Sequence, residues 1–411
     1  MNKSVSSQVS IKPWMVLGFG AIVVFLALGM RHAFGLFLDP ITRDVEGISR
    51  EAFGFALALQ NLLWGLAQPF AGIIADRWGS ARVIFVCGAL YAAGLALASQ
   101  ATGPMDLNLS MGVLIGLGLS GTSYAVVLGA IGRRFPPHRR STALGLASVG
   151  GSIGMFCSVP LTMGLTASLG WTGALLVLAG IALTMCLAAP QLAGNANVVS
   201  VDTTQLSLGE ALNQALKHRG FLLLVTGFFV CGFQLAFIVT HLPAFLLDRA
   251  LEPWAGGLAL SVIGAANIVG TVVCGALGDR FSKKKLLAGM YLIRAMAVTL
   301  FLLLPVTVIS TIWFSVVMGL TWLGTVPLTT GIVAQVFGPR YLSTLVGIVF
   351  LLHQTGSFMG AWLGGYVFAL TGSYDLVWWL GAALAVAAAV LHWPIDEQPI
   401  QAVPLTPVEE Q

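Results

Sequence analysis

Arg31 lies inside the apolar run 14–38. A guanidinium inside a membrane-crossing segment costs at least ~2.5–3.5 kcal/mol, so it normally faces a cavity or a partner. All sixteen acidic residues fall in polar stretches, at the ends of apolar runs or in the tails. An intramembrane arginine without an acidic partner is suited to receive a substrate carboxylate through two parallel hydrogen bonds. The plainer alternative is that Arg31 snorkels outward or caps carbonyls near the end of its segment. His353 and Gln354 sit near the middle of another apolar run, 341–369. Histidine titrates near neutral pH, so His353 can bind an anion when protonated or carry a proton; the alternative is a neutral, hydrogen-bonded core histidine. Tyr124 offers a hydroxyl to a carboxylate. Asn61, Gln234 and Asn267 offer amides, although hydrogen bonding between helices explains any one of them. Trp322 could wall an apolar cavity. A second arginine within an apolar run, Arg294, is assigned to snorkelling or packing.

The elements that must position these residues follow from composition. Of 411 residues, 57% are hydrophobic and 9% charged, against about 25% charged in soluble proteins. The apolar residues come in blocks of about 20, the length a helix needs to cross ~30 Å of hydrocarbon. Twelve spans are expected, at 14–38, 51–75, 82–101, 107–131, 141–166, 171–190, 220–247, 254–278, 285–304, 308–336, 341–369 and 374–393. Trp14, Trp171, Trp254 and Trp378 flank these runs and read as interfacial anchors. The 49 glycines are dispersed among apolar residues, as suits close helix packing in lipid. The cysteines lie scattered within the apolar runs and read as packed thiols rather than disulfides or metal ligands. No short apolar region with a small-residue cleavage site precedes the first span, so no signal peptide is expected.

Basic residues alternate between loops. One set of connections holds Lys3, Lys12, Arg77, Arg82, Arg133, Arg134, Arg139, Arg140, Lys217, Arg219, Arg280, Lys283, Lys284, Lys285 and Arg340; the other holds only Arg43, Arg50 and Arg249. The first set defines a basic face, expected to be cytoplasmic together with both termini by the positive-inside rule. The halves align at an offset of 202–203. Gly72, Asp76 and Arg77 match Gly275, Asp279 and Arg280; Gly29 and Pro40 match Gly232 and Pro243; Phe135, Pro137, Ser141, Thr142 and Gly145 match Phe337, Pro339, Ser343, Thr344 and Gly347. Such internal symmetry marks two-half transporters. The expected units are an N-terminal six-helix bundle (1–194), a linker (195–219), a C-terminal six-helix bundle (220–393) and a tail (394–411). Within the linker, Leu208, Ala211, Leu212, Ala215 and Leu216 recur at helical spacing after Ser207, a plausible N-cap, predicting a helix on the inner membrane surface. Asp76, Arg77, Asp279 and Arg280 end spans two and eight at the basic face. There they are suited to gating, making contacts that hold one conformation and release in another.

These residues resemble the major facilitator superfamily. Its signature loop, Gly-x-x-x-Asp-Arg-x-Gly-x-x-Arg/Lys, is met by Gly72, Asp76, Arg77, Gly79 and, one residue early, Arg82. Within it the chain is similar to the monocarboxylate and oxalate/formate porters. The likeness is carried by Gly29–Phe37 with its basic Arg31, by Tyr124 with Arg133–Gly154, and by His353–Gly360 through Asp375. The resemblance implies an all-α membrane fold of twelve helices in two pseudo-symmetric six-helix bundles, working by alternating access. Departures are Asn267 and Thr271, where vertebrate-type members carry an Asp and an Arg, and the absence of a lysine in span eleven. They put the usual proton-coupling pair in doubt and suggest a substrate with fewer charges than oxalate.

The expected function is secondary transport of a small organic anion, most simply a monocarboxylate, by proton symport. Arg31 would bind the carboxylate, with Tyr124, His353, Gln354, Asn267, Gln234, Asn61 and Trp322 around it. Drug efflux, or anion exchange of the dicarboxylate or formate type, is the alternative within transport; a ligand sensor is the alternative outside it. No phosphate-cradling loop, metal cluster or nucleophile–base pair is legible, so no cofactor and no catalysis are expected. The expected setting is the lipid bilayer of a bacterial inner membrane, as a monomer, with protons as possible co-substrate. The short basic run 133–140, held between two spans, is a retention and gating loop rather than a nucleic-acid site.

Overall fold

The computed structural model describes residues 13–132, 134–135, 137–193, 208–337 and 342–400. Ser207, the expected N-cap, lies outside them, as does all of the linker before it. The side chains of Asp76, Arg77 and Asp279 are likewise outside the described set; their backbone is helical. Among the described residues the secondary structure is helical throughout.

Eleven helical segments are long and apolar enough to cross a membrane. They are α1 (Pro13–Asp44), α2 (Arg50–Ala75), α3 (Ser80–Ala98), α4 (Pro104–Ile131), α5 (Leu146–Leu192), α7 (Arg219–Asp248), α8 (Trp254–Gly278), α9 (Lys283–Leu303), α10 (Val308–Phe337), α11 (Leu345–Thr371) and α12 (Asp375–His392). The short helix α6 (Leu208–Lys217) lies between α5 and α7, where the linker helix is expected. The segment α5 has 47 residues, roughly 70 Å at 1.5 Å per residue and more than twice a hydrocarbon core. It is broken at Gly170, whose φ of 68° and ψ of 174° are not helical; glycine reaches that conformation without a Cβ penalty. Gly170 falls where the sequence separates the fifth and sixth spans.

Local sequence sets the helix ends. The Ser49 hydroxyl accepts from the Ala52 N–H at 3.1 Å and caps α2, satisfying one of the free donors there. Gly79, at φ 94°, ends that helix. Thr307 and Ser310 form a capping box at the start of α10. The Glu397 carboxylate accepts from the Ser282 hydroxyl and the Lys284 N–H, so the chain after α12 folds back to cap α9. Two spans depart from a uniform helix. Residues Asn108–Leu114 of α4 are wound as a π-helix, and α10 is interrupted between Thr321 and Thr325. The first span runs beyond its expected end at 38 through a 3₁₀ turn, Phe34–Phe37, to Asp44.

Packing partners recur through the repeat. α1 packs on α5 as α7 packs on α11; α2 on α4 as α8 on α10; α3 on α5 as α9 on α12. Two further contacts, α2 with α11 and α5 with α8, join the first six predicted spans to the last six. Small residues make the closest approaches, as expected where lipid offers no hydrophobic drive. A Cβ at Gly29 would meet Ser158 and Gly154 of α5; one at the matched Gly232 would overlap the His353 carbonyl of α11. Large apolar side chains such as Ile309, Leu187 and Leu370 point outward, the disposition required of a lipid-facing surface.

Two sequence expectations are corrected. Trp378 is not an interfacial anchor: it is buried among Phe237, Phe245, Phe301 and Phe314. Trp14 and Trp254 are exposed. Of the two readings of Arg294, packing holds and snorkelling does not: it is fully buried, with its Cζ 5.4 Å from the centre of the Tyr291 ring.

Candidate functional site

Arg31 ends the regular part of α1 and points at α2. Its Nη2 donates to Asn61 Oδ1, and its Cζ lies 5.1 Å from the centre of the Trp64 ring. Asn61 and Trp64 are three residues apart and so share one helix face. The Asn61 amide is fixed in turn by its donation to the Leu57 carbonyl at 2.8 Å. Trp64 is fixed by donation from Nε1 to the Ser123 hydroxyl at 2.9 Å. The Arg31 Nε is buried and donates to nothing, and among the described residues no carboxylate pairs with this guanidinium. One edge is therefore held by an amide, one face by an indole, and a charged donor remains free. That arrangement is suited to an anionic oxygen.

The next residue, His32, was not singled out from the sequence. It is buried, and its Nε2 lies 3.0 Å from the Leu260 carbonyl of α8. Its ring stands edge-on to Trp322 of α10 at 6.1 Å. Arg31, His32 and Trp322 thus form a chain of neighbours across the contact between early and late spans. Trp64 was also missed; its three-residue spacing from Asn61 was the available signal.

Gln354 lies on the same α2–α11 contact. A Cβ at Gly65, one turn beyond Asn61, would meet the Gln354 side chain at 2.7 Å. The Gln354 Nε2 is buried without an acceptor, a second free donor near this stretch of α2. His353 Nδ1 is 3.4 Å from Gln354 Oε1, and its ring packs on Phe228 and Phe350. Asn267 spans the α5–α8 contact: Nδ2 donates to the Ser152 hydroxyl at 3.0 Å, and Oδ1 accepts from the Leu323 N–H at 3.0 Å and the Thr271 hydroxyl at 3.1 Å.

The remaining candidates lie elsewhere. Tyr124 donates to the Ser148 carbonyl at 3.4 Å and meets Gly151 of α5, where Val24 and Leu28 of α1 also meet. Gln234 donates to the Gly381 carbonyl of α12 at 3.0 Å, so its amide ties α7 to α12 and does not join Arg31. Arg280 is exposed. Among the described residues, no heavy atom lies within 4 Å of a Cβ at Gly72, Gly275 or Gly347.

The face opposite the basic one is closed by charge. Arg50 donates to both oxygens of Asp248 at 2.5 and 2.8 Å, joining the start of α2 to the end of α7. Its guanidinium covers the Phe368 ring at 4.3 Å and donates to the Tyr374 hydroxyl at 3.4 Å. Arg249 pairs with Asp375 at 2.6 Å. Burial, partly offset by Arg50, pushes the Tyr374 hydroxyl up to about 12, so it is protonated at neutral pH.

The Major Facilitator Superfamily model matches residues 15–361 and 257–408. Monocarboxylate transporter 13 of Rattus norvegicus is 28% identical over 390 residues, covering 92% of this chain and 86% of that protein. Monocarboxylate transporter 11 of Homo sapiens is 25% identical, covering 92% and 82%. A protein of Bacillus subtilis described as an uncharacterized MFS-type transporter, YcxA, is 24% identical, covering 89% and 90%. The apolar helices, the recurring packing and these matches together make the chain a member of the major facilitator superfamily resembling its monocarboxylate group: a multi-pass membrane transporter of small organic substrates, not an enzyme.

Proposed function

We propose that this transporter moves a small organic monocarboxylate by proton symport, with Arg31 as the group that receives the carboxylate. The observation that carries this reading is the Arg31 guanidinium, held by Asn61 and Trp64 but with a buried, unused Nε–H and no carboxylate partner among the described residues. A buried cation is costly unless paired, and a substrate anion supplies the missing charge. The monocarboxylate transporters among the relatives support the substrate class. Gln354 is the second donor, from α11, and His353 beside it is the group that carries the proton. Asn267 and Trp322 complete the region, and Tyr124 flanks it on the α1–α5 contact.

The architecture that serves this reading has twelve spans, counting α5 as two across Gly170. They form bundles over 1–194 and 220–393, with the linker 195–219 and the tail 394–411 on the cytoplasmic side. The Arg50–Asp248 contact between the start of α2 and the end of α7 supports a state closed on that face, in a monomer that rocks its halves about Arg31. Asp76, Arg77, Asp279 and Arg280 are the gate of the basic face. The basic-loop distribution supports an orientation with both termini inside, and the proposed setting is a bacterial inner membrane.

Proteoliposomes loaded at alkaline pH and presented with radiolabelled acetate, lactate or pyruvate test the whole reading. Wild-type protein is expected to accumulate at least one of them when the outside is more acidic, and Arg31→Ala to abolish it. Full transport by Arg31→Ala would remove Arg31 from the site. Uptake indifferent to the imposed gradient would remove the proton role of His353.

A further inference from the structure

Arg294 has no task in the proposed transport cycle, yet it is fully buried in α9. Three of its four hydrogen bonds converge on a single feature. Nη2 donates to the Thr321 carbonyl and, at 2.7 Å, to the Trp322 carbonyl; Nε donates to the Thr321 hydroxyl at 3.3 Å. Nη1 is 3.4 Å from Cys231 Sγ on α7, and the Tyr291 ring lies 5.4 Å beneath the guanidinium. Thr321 is the last residue of the first helical part of α10, and the helix resumes at Thr325. A helix that stops leaves its last carbonyls without intrahelical donors, and such orphans are costly where no water reaches them. A cation at a helix C-terminus both bonds those oxygens and complements the dipole.

The opposite side of the same turn is held as well. The Leu323 N–H donates to Asn267 Oδ1 at 3.0 Å, and Asn267 Nδ2 donates to Ser152 on α5. Between these two attachments sits Trp322, buried, with its ring edge-on to His32, the neighbour of Arg31.

We propose that Arg294 is a positioning residue for the anion site: by capping the carbonyls of the broken turn in α10 it sets Trp322 against His32 and so fixes the wall beside Arg31. The proposal rests on the reading of Arg31 as the carboxylate receptor. It assigns a specific task to a charge that would otherwise be an expensive packing residue.

Radiolabelled pyruvate uptake in proteoliposomes separates positioning from plain stability. Arg294→Gln is expected to raise KM about tenfold while Vmax per folded protein stays within about twofold. Trp322→Leu is expected to do the same, and the double variant to lose no more than either single, because both act on one contact. Additive losses, or a fall in Vmax with KM unchanged, would overturn the proposal. Should Arg294→Gln not fold, Arg294→Lys carries the same expectation, since an ammonium keeps the charge but lacks the planar fork whose three nitrogens hold the two carbonyls, the Thr321 hydroxyl and Cys231 at once. A second readout needs no transport. The emission of Trp322, taken as the difference between each protein and its Trp322→Phe counterpart, should shift to the red in Arg294→Lys; an unchanged spectrum overturns the proposal. If wild-type protein moves no pyruvate, it is the substrate reading that fails, and the fluorescence still decides the role of Arg294.

Discussion

At the scale of single residues, the guanidinium of Arg31 is held rather than merely tolerated. Asn61 accepts from one edge, Trp64 covers a face, and Ser123 locks the indole in place. Removing a partner of a charged donor costs about 1.5–3 kcal/mol. Asn61→Ala should therefore weaken substrate binding by roughly tenfold or more, read as a rise in KM with Vmax less affected; unchanged KM would detach Asn61 from the site. Arg31 and Asn61 were legible from residue type alone, because a polar group inside an apolar run has to be explained. Trp64 and His32 were not, since an aromatic or histidine beside a candidate declares a role only once the helix rotation is known. The same ignorance of rotation let Gln234 stand beside Arg31 as a candidate, whereas its amide reaches the Gly381 carbonyl on α12.

At the scale of elements, the repeat visible in sequence has a packing counterpart. Gly29 and Gly232, one repeat apart, each let a helix backbone approach its partner, α5 in one case and α11 in the other. Gly232→Val would drive a side chain into the His353 carbonyl. Overpacking of this kind costs about 1–3 kcal/mol, so the melting temperature in detergent should fall. Gly72→Ala is the contrast: no described residue lies within 4 Å of its Cβ position, and the melting temperature should stay where it is. Equal losses in the two variants would show that the α7–α11 contact is looser than its geometry requires. Span boundaries were readable to within a few residues because hydropathy marks them. The interruption of α10 was not, because Thr321–Thr325 contains neither proline nor a polar run, and the break is stabilised by Arg294 and Asn267 from other helices.

For the whole molecule, the two faces differ. Arg50, Asp248, Phe368 and Tyr374 knit one face shut, while Gly72 and Gly275 at the basic face meet no neighbour among the described residues. A bidentate pair that also covers an aromatic ring contributes more than an exposed single contact. Arg50→Ala should shift the balance toward opening on that face. The measurement is alkylation of Ala361→Cys, buried at the α2–α11 contact, by a membrane-impermeant maleimide after the exposed Cys157 is replaced. An increase of about tenfold corresponds to ~1.4 kcal/mol in the conformational balance; an unaltered rate would show that the face is held shut by other contacts.

The sequence by itself determined the medium, the helical class and the superfamily, and it singled out Arg31 as the candidate anion receptor. Each of these rests on what a residue is: apolar length, the placement of basic loops, a repeated Asp-Arg block, an arginine without an acid. Tertiary structure decided which way each residue faces. In a soluble helix the polar face would announce itself, but in lipid both the outward and the inward face are apolar, so periodicity carries little information about orientation. Thus Arg294 turned inward to cap a broken helix instead of snorkelling, Trp378 was buried instead of anchoring, and Arg31 acquired an indole and an amide that its own segment could not predict.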